Sequence, residues 1–145
     1  MISLPPRPSP RGSYRPAIVF GGIAQVSGQV CRDEDGVAIR ACLAPGDDLT
    51  AARKAAELAM LRCLSVLEGE LGTLDAIAQV IMVRGYVRST PDFEAHSQVL
   101  DAASDLLVSV LGSRGHHARA ALGVSSLPSG GVVEVEITVG VALPS

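Results

Sequence analysis

Apolar and polar positions along this chain follow two periods, and the switches between them lay out the elements. Ala17 to Phe20 and Ile23 to Ser27 read as short strands across Gly21-Gly22, a pair suited to a two-residue hairpin turn whose central positions take positive φ. From Leu49 to Leu71 the apolar residues Ala52, Ala56, Ala59/Met60, Cys63/Leu64, Leu67 and Leu71 recur at steps of three and four. That period predicts a long amphipathic helix, with Asp48 or Thr50 as its N-cap and Gly72 as its stop. Ala78 to Val87 is a mostly apolar strand, expected to be buried on both faces except at Arg84. A second helix is predicted to begin at Ser89-Thr90-Pro91-Asp92 and to bury Phe93, Val99/Leu100, Ala103, Leu106/Leu107 and Val110, with Gly112 and Gly115 ending it. Two last strands, Ala118 to Val124 and Val132 to Val141, are expected on either side of a turn at Leu127-Pro128-Ser129-Gly130-Gly131.

The intervening segments carry other signals. Four prolines keep Ser3 to Arg11 out of any central strand, so residues 1–11 are expected to form an extended arm lying on a surface or covering an edge. Cys31 to Asp48 holds the turn sequences Asp33-Glu34-Asp35-Gly36 and Pro45-Gly46-Asp47-Asp48 without either period. It reads as a solvated loop, since it lacks the spaced oxygen ligands and terminal glutamate of a calcium loop. The order β-β-α-β-α-β-β predicts an α+β domain with both helices on one sheet face. At 145 residues, 48% of them apolar, the chain is the size of one domain spanning 1–145 with ample material for a core.

Composition narrows the function classes. The 12 basic against 15 acidic residues leave a net charge of -3, without the excess that phosphate-backbone binding uses, and 3% aromatics leave few platforms for base stacking. No nucleic acid partner is expected, and Arg7, Arg11 and Arg15, interrupted by prolines, read as a solvated arm. Cys31, Cys42 and Cys63 are odd in number and lack CxxC spacing or nearby histidines, so neither a disulfide framework nor a metal site is expected. Cys63 falls on the helix stripe as packing, while Cys31 and Cys42 flank the polar loop. No segment has the apolar run of a signal peptide or a membrane span, and a cytoplasmic location away from membranes is the expectation.

Candidate chemistry concentrates in the last two strands. Arg119 lies between Ala118 and Ala120, where a buried guanidinium requires an anionic partner. That partner is either a bound carboxylate or an acidic residue of a neighbouring chain. Glu134 and Glu136 share one side of a period-two strand, and a glutamate beside an arginine can orient or deprotonate water; a solvent-exposed strand face is the alternative. His116 and His117 precede the strand, where His117 either leads the chain into it or titrates near Arg119. His96 shows no partner and is expected to be exposed.

His117-Ala118-Arg119, Leu127-Pro128 eight positions after the arginine, and Glu134-Val135-Glu136 resemble the signature of the Rid family, also called the YjgF family, of small enamine/imine deaminases. Gly12-Ser13-Tyr14-Arg15-Pro16-Ala17 is similar to that family's Gly-x-Tyr-x-x-Ala opening, and Val26-Ser27-Gly28-Gln29 to its Ser-Gly-Gln strand. The likeness runs in order along roughly the whole chain and is nearer to a longer branch with a Ser-Asp-Leu-Leu helix, here Ser104 to Leu107. It implies a chorismate-mutase-like fold, a twisted sheet backed by two helices, assembled as a homotrimer with intersubunit clefts. It further implies hydrolysis of small enamine or imine acids of the 2-aminoacrylate type to 2-oxo acids and ammonia, without a cofactor or a metal. In that scheme Arg119 holds the substrate carboxylate and Glu134 positions water. Tyr14, Gly28 and the backbone of Ala121 line the substrate site. The chain departs from the family pattern along Arg119-Ala120-Ala121-Leu122, where an Arg-Ser-x-Cys-type strand loses its hydroxyl and its thiol. That departure leaves a non-catalytic trimeric binder of small carboxylate metabolites as the alternative. An RNA-cleaving or translation-inhibiting protein is the third reading, opposed by the acidity and the scarcity of aromatics.

Overall fold

A computed structural model describes residues 2–142. Six strands form one sheet: β1 (Ala17–Phe20), β2 (Ile23–Val26), β3 (Gln29–Val30), β4 (Ile77–Arg88), β5 (Ala118–Val124) and β6 (Val133–Val141). Two helices, α1 (Thr50–Leu71) and α2 (His96–Leu111), pack side by side against it. Strand order is β1-β2-β6-β4-β5, and the short β3 also pairs with β6. The first hairpin forms as expected, with Gly21 at φ 60° and Gly22 at φ 77°, values that two side-chain-bearing residues would reach only with strain. Helix α1 matches its predicted span. Its N-cap is Leu49, without a side-chain cap, rather than Asp48 or Thr50: the Asp48 carboxylate is taken up by the Thr50 backbone N–H at 2.9 Å and its hydroxyl at 2.7 Å, one residue short of the capping position, while Gly72 ends the helix as expected in a left-handed conformation at φ 86°. Among the described residues no helix is long and apolar enough to cross a membrane.

Three further expectations are corrected. Helix α2 begins at His96, not at Thr90-Pro91. The Thr90 backbone N–H is committed to Leu43 O at 2.8 Å, its hydroxyl to Asp92 at 2.6 Å, and Phe93 is buried as the anchor of that turn. These residues close a loop against the sheet before helical hydrogen bonding starts. The strands flanking Leu127–Gly131 do not pair with each other; β4 lies between them, parallel to β5 and antiparallel to β6. The connection is therefore a crossing over the end of β4, tightened by a single turn at Pro128–Gly130, rather than a hairpin. Third, β4 is buried on one face only, since both helices lie on the same side. From Met82 to Arg88 its residues alternate, with Val83, Gly85 and Val87 in the core and Met82, Arg84, Tyr86 and Arg88 on the helix-free face.

The helix-facing core contains Met60, Leu64, Leu67, Leu100, Leu107, Val83 and Ile137, all fully buried. The Pro-rich arm lies along α1: the Ser65 hydroxyl donates to Pro5 O at 2.7 Å, and the Arg7 guanidinium occupies the space a side chain at Gly69 would need. His96 is not free in solution but stacks edge-on against Phe93, with ring centres 5.0 Å apart. Cys31 and Cys63 are buried and Cys42 is exposed; burial pushes the Cys63 thiol up, as fits a packing residue.

Gly85 sets how closely α2 approaches the sheet. A β-carbon there would lie 2.0 Å from Cδ1 of the fully buried Leu100. Gly85→Ala is expected to cost about 1–3 kcal/mol through overpacking, read as a lower urea midpoint at unchanged slope.

Candidate functional site

Glu134 stands on β6 between Val30 of β3 and Tyr86 of β4, with its side chain on the helix-free face. Gly28, just before β3, makes room for it: a β-carbon at Gly28 would come within 3.1 Å of Glu134 Oε1. The arm then folds over this point. Tyr14 Oη accepts from the Arg11 backbone N–H at 3.4 Å, and Pro8, Ser9, Pro10, Arg11 and Tyr14 form one wall of a cleft of about 100 Å³. Gly28, Glu134, Arg32, Arg62 and Pro128 contribute to the remaining walls. Tyr14, Gly28 and Glu134, far apart in sequence, thus share one cleft.

Glu136, two residues on, is already engaged. Tyr86 Oη donates to its Oε1 at 3.1 Å, and Arg84 Nε stands 4.0 Å from the same oxygen. Glu134 has a different environment. Burial first, and the charge of Glu136 second, push its carboxyl above the ordinary value of 4.5, and the arginines of the cleft do not reverse this. A carboxylate raised in this way is a better proton acceptor near neutral pH.

Arg119 lies elsewhere in the chain. On β5, opposite Val83, it faces α2. Its Nη1 meets Asp101 Oδ1 at 3.0 Å and donates to Ser104 Oγ at 2.9 Å, while its Nη2 donates to Ser97 Oγ at 2.7 Å. Its acidic partner is thus Asp101 of its own chain, where the sequence left a bound carboxylate or an acidic residue of a neighbouring chain as the alternatives. The Ser104 hydroxyl, accepting from Arg119, lies 2.8 Å from His117 Nε2, and His117 Nδ1 is 2.6 Å from Gly115 O. Because a carbonyl only accepts, Nδ1 carries the proton and Ser104 donates to Nε2. His117 therefore helps to hold Arg119 through Ser104. Ala121, opposite Gly85, packs on the core and does not line the Glu134 cleft. Glu134 and Arg119 are two strands apart, about 10 Å across the sheet, and point to opposite faces. One chain does not bring them together.

The sequence model of the family described as endoribonuclease L-PSP matches residues 5–141. The chain belongs to the Rid (YjgF) family. Protein TCP17 of Trypanosoma cruzi is 35% identical over 139 residues, covering 95% of this chain and 87% of that protein. The crystal structure of Atu1372, a protein of unknown function from Agrobacterium tumefaciens, is 34% identical with a TM-score of 0.86, over 91% of this chain and 85% of that one. The YjgF gene product of E. coli, 16% identical with a TM-score of 0.66 over 92% of each chain, shares the fold. The α+β architecture with two helices on one sheet face is that of the YjgF-type Rid structures.

Several residues of this Rid site escaped the sequence reading. Ser97, Asp101 and Ser104 recur at helical spacing on α2, a polar line that was legible as spacing but not as a cradle for Arg119. Arg32 follows an apolar strand directly and is buried, and Arg62 adjoins the buried stripe of α1; a charge next to an apolar run was the available signal in both cases. Arg11, expected on a solvated arm, is at the cleft.

The raised Glu134 carboxyl has a stability consequence. The folded chain binds this proton more readily than the unfolded chain does, so ionising Glu134 destabilises the fold as pH rises from about 4.5 through the raised value. Glu134→Gln removes that cost. It is expected to unfold at a higher denaturant midpoint than wild type at pH 7, with the difference closing below pH 4.5.

Proposed function

We propose that this Rid protein hydrolyses small enamine or imine acids to 2-oxo acids and ammonia, in clefts completed by a second copy of the chain within a homotrimer. The observation that carries the reading is the convergence of Tyr14 and Gly28 on a glutamate whose proton affinity is raised by burial and by Glu136. In the reaction, water attacks the imine carbon, its proton passes to Glu134, and the C=N π electrons move to nitrogen. Glu134 hands that proton to the nitrogen to give the amino alcohol, then passes the hydroxyl proton to the same nitrogen as the C=O forms and the C–N bond breaks, so that ammonia leaves and Glu134 is regenerated. Arg119 of a second copy orients the substrate carboxylate from its mooring on Ser97, Asp101 and Ser104, so its contribution is positioning rather than bond breaking.

A second reading, a carboxylate-binding trimer without catalysis, is favoured by the same mooring. Asp101 already neutralises Arg119, and Ala120, Ala121 and Leu122 supply neither hydroxyl nor thiol. Ammonia release from enzymatically generated 2-aminoacrylate separates the two. Wild type is expected to accelerate release, and Glu134→Gln to lose on the order of a hundredfold in turnover while calorimetry still detects carboxylate binding. Carboxylate binding without acceleration by wild type would replace the deaminase with the binding protein.

The assembly is tested by itself. Ile18, Phe20 and Ile23 of the β1–β2 hairpin and Leu122 of β5 are exposed at 57%, 84%, 37% and 52%, apolar side chains that a second copy would cover. Sedimentation equilibrium at micromolar concentration is expected to give three times the chain mass, and a monomer would remove the intersubunit cleft.

A further inference from the structure

The cleft beside Glu134 is lined by more positive than negative charge, and the Asp33, Glu34 and Asp35 carboxylates that border the adjoining space with the same arginines form no ion pair with them. Arg11, Arg32 and Arg62 all line it, and Glu134 is its one carboxylate among the described residues. The ion pairs among the described residues are Lys54–Glu57, Arg84–Glu136 and Arg119–Asp101, none of which includes the three cleft arginines. Arg32 is 7% exposed, and its guanidinium is aimed by neutral acceptors alone: Nη1 donates to Gly36 O and Nη2 to Ser129 Oγ, both at 3.1 Å. Arg62 Nε is fully buried and has no hydrogen-bond partner. Like charges gathered round a cleft, one of them buried and another with a buried donor unused, are costly unless an anion joins them.

We infer that Arg11, Arg32 and Arg62 form an anion site, and that the cleft takes a small dicarboxylic acid as its dianion. Three guanidiniums against one carboxylate leave two positive charges, which a monocarboxylate would only half neutralise. Planar guanidinium forks match carboxylates in pairs of parallel hydrogen bonds. The space, about 100 Å³, is several times the ~10–15 Å³ a single water needs and suits a molecule of a few heavy atoms. The site is also distinct from the Arg119 mooring, which faces α2 and already has its own carboxylate. The inference takes the reacting carbon from the deaminase reading and narrows its substrates to imino acids with a second carboxylate; the anion site itself stands without that reading.

Arg11 belongs to the arm, whereas Arg32 and Arg62 belong to the body. Without an anion, Arg11 is repelled from the other two; with one bound, the same three charges draw the arm down over Glu134. Arg7 and Arg15 precede Pro8 and Pro16, which block tryptic cleavage, so Arg11–Gly12 is the bond in this segment that trypsin can cut.

The test titrates the full chain with malonate, inorganic phosphate and acetate at constant ionic strength, by calorimetry, and repeats the malonate titration under limited trypsin. Malonate is expected to bind at least tenfold more tightly than acetate and to slow the cut at Arg11–Gly12. Arg62→Gln and Arg11→Gln are each expected to weaken malonate on the order of tenfold or more. Arg11 is on the exposed arm, so its variant tests the site even if Arg62→Gln fails to fold. Arg53→Gln, which removes the same charge outside the cleft, should leave malonate affinity unchanged. Equal binding of acetate, tighter binding of phosphate, equal losses in Arg53→Gln, or cutting unaffected by bound malonate would each overturn the inference. Ammonia release without malonate binding would keep the deaminase and remove the anion site. Malonate binding without ammonia release would keep the anion site and remove the deaminase.

Discussion

Alternate residues of a strand point to opposite faces, and in this fold both helices lie against only one of them. The rest of the molecule follows from that one-sided cover. Residues on the helix side are held in the core or bonded to α2, as Val83, Ile137 and Arg119 are. Residues on the other side stand clear of the helices, where Glu136 is engaged by Tyr86 and Arg84 and Glu134 faces the cleft. Glu134 and Arg119 therefore cannot meet inside one chain, however close their strands lie. A sheet with one bare face and a divided site is the geometry on which the proposed second copy rests, covering the face and supplying the other half.

Charge is organised by the same division. Arg119 is balanced by Asp101 and oriented by two serine hydroxyls, a complete shell that fixes its direction at the cost of its free charge. Across the sheet, Arg11, Arg32 and Arg62 have direction without balance. The first arrangement favours precise placement of a partner, and the second favours drawing in an anion of matching charge. A cleft that draws on both separates orientation from attraction, two tasks that a single arginine performs together in a simpler site.

What the sequence disclosed was local. The Gly21-Gly22 turn, the α1 stripe with Gly72 at its end, and the period-two pairing of Glu134 with Glu136 depend on neighbours within a few positions, and each appears where expected. The start of α2 was misplaced because Thr90 and Pro91 carry a helix-opening signal that a tertiary bond from Leu43 overrides. The apolar run of β4 looked doubly buried because hydropathy does not say whether a second layer exists. The joined pair of β5 and β6 proved to be separated by β4, since a short connection constrains distance but not pairing. Of the candidate site, Tyr14, Gly28 and Glu134 were legible through their motifs. The three cleft arginines were not, because 51 positions of chain separate Arg11 from Arg62 and nothing local links them.

The last strand of the sheet in chain order is also its seam. β6 pairs with β2, β3 and β4, so it joins residues near position 25 to residues near position 140. Until it is in place the opening hairpin has no neighbour to bind to, and the helices have only half a sheet to cover. Closure across so long a stretch of chain is entropically slow, which assigns this fold a late, cooperative folding step. On the ribosome, the chain would emerge almost entirely before its core can form, with the apolar faces of both helices exposed to whatever holds nascent chains apart.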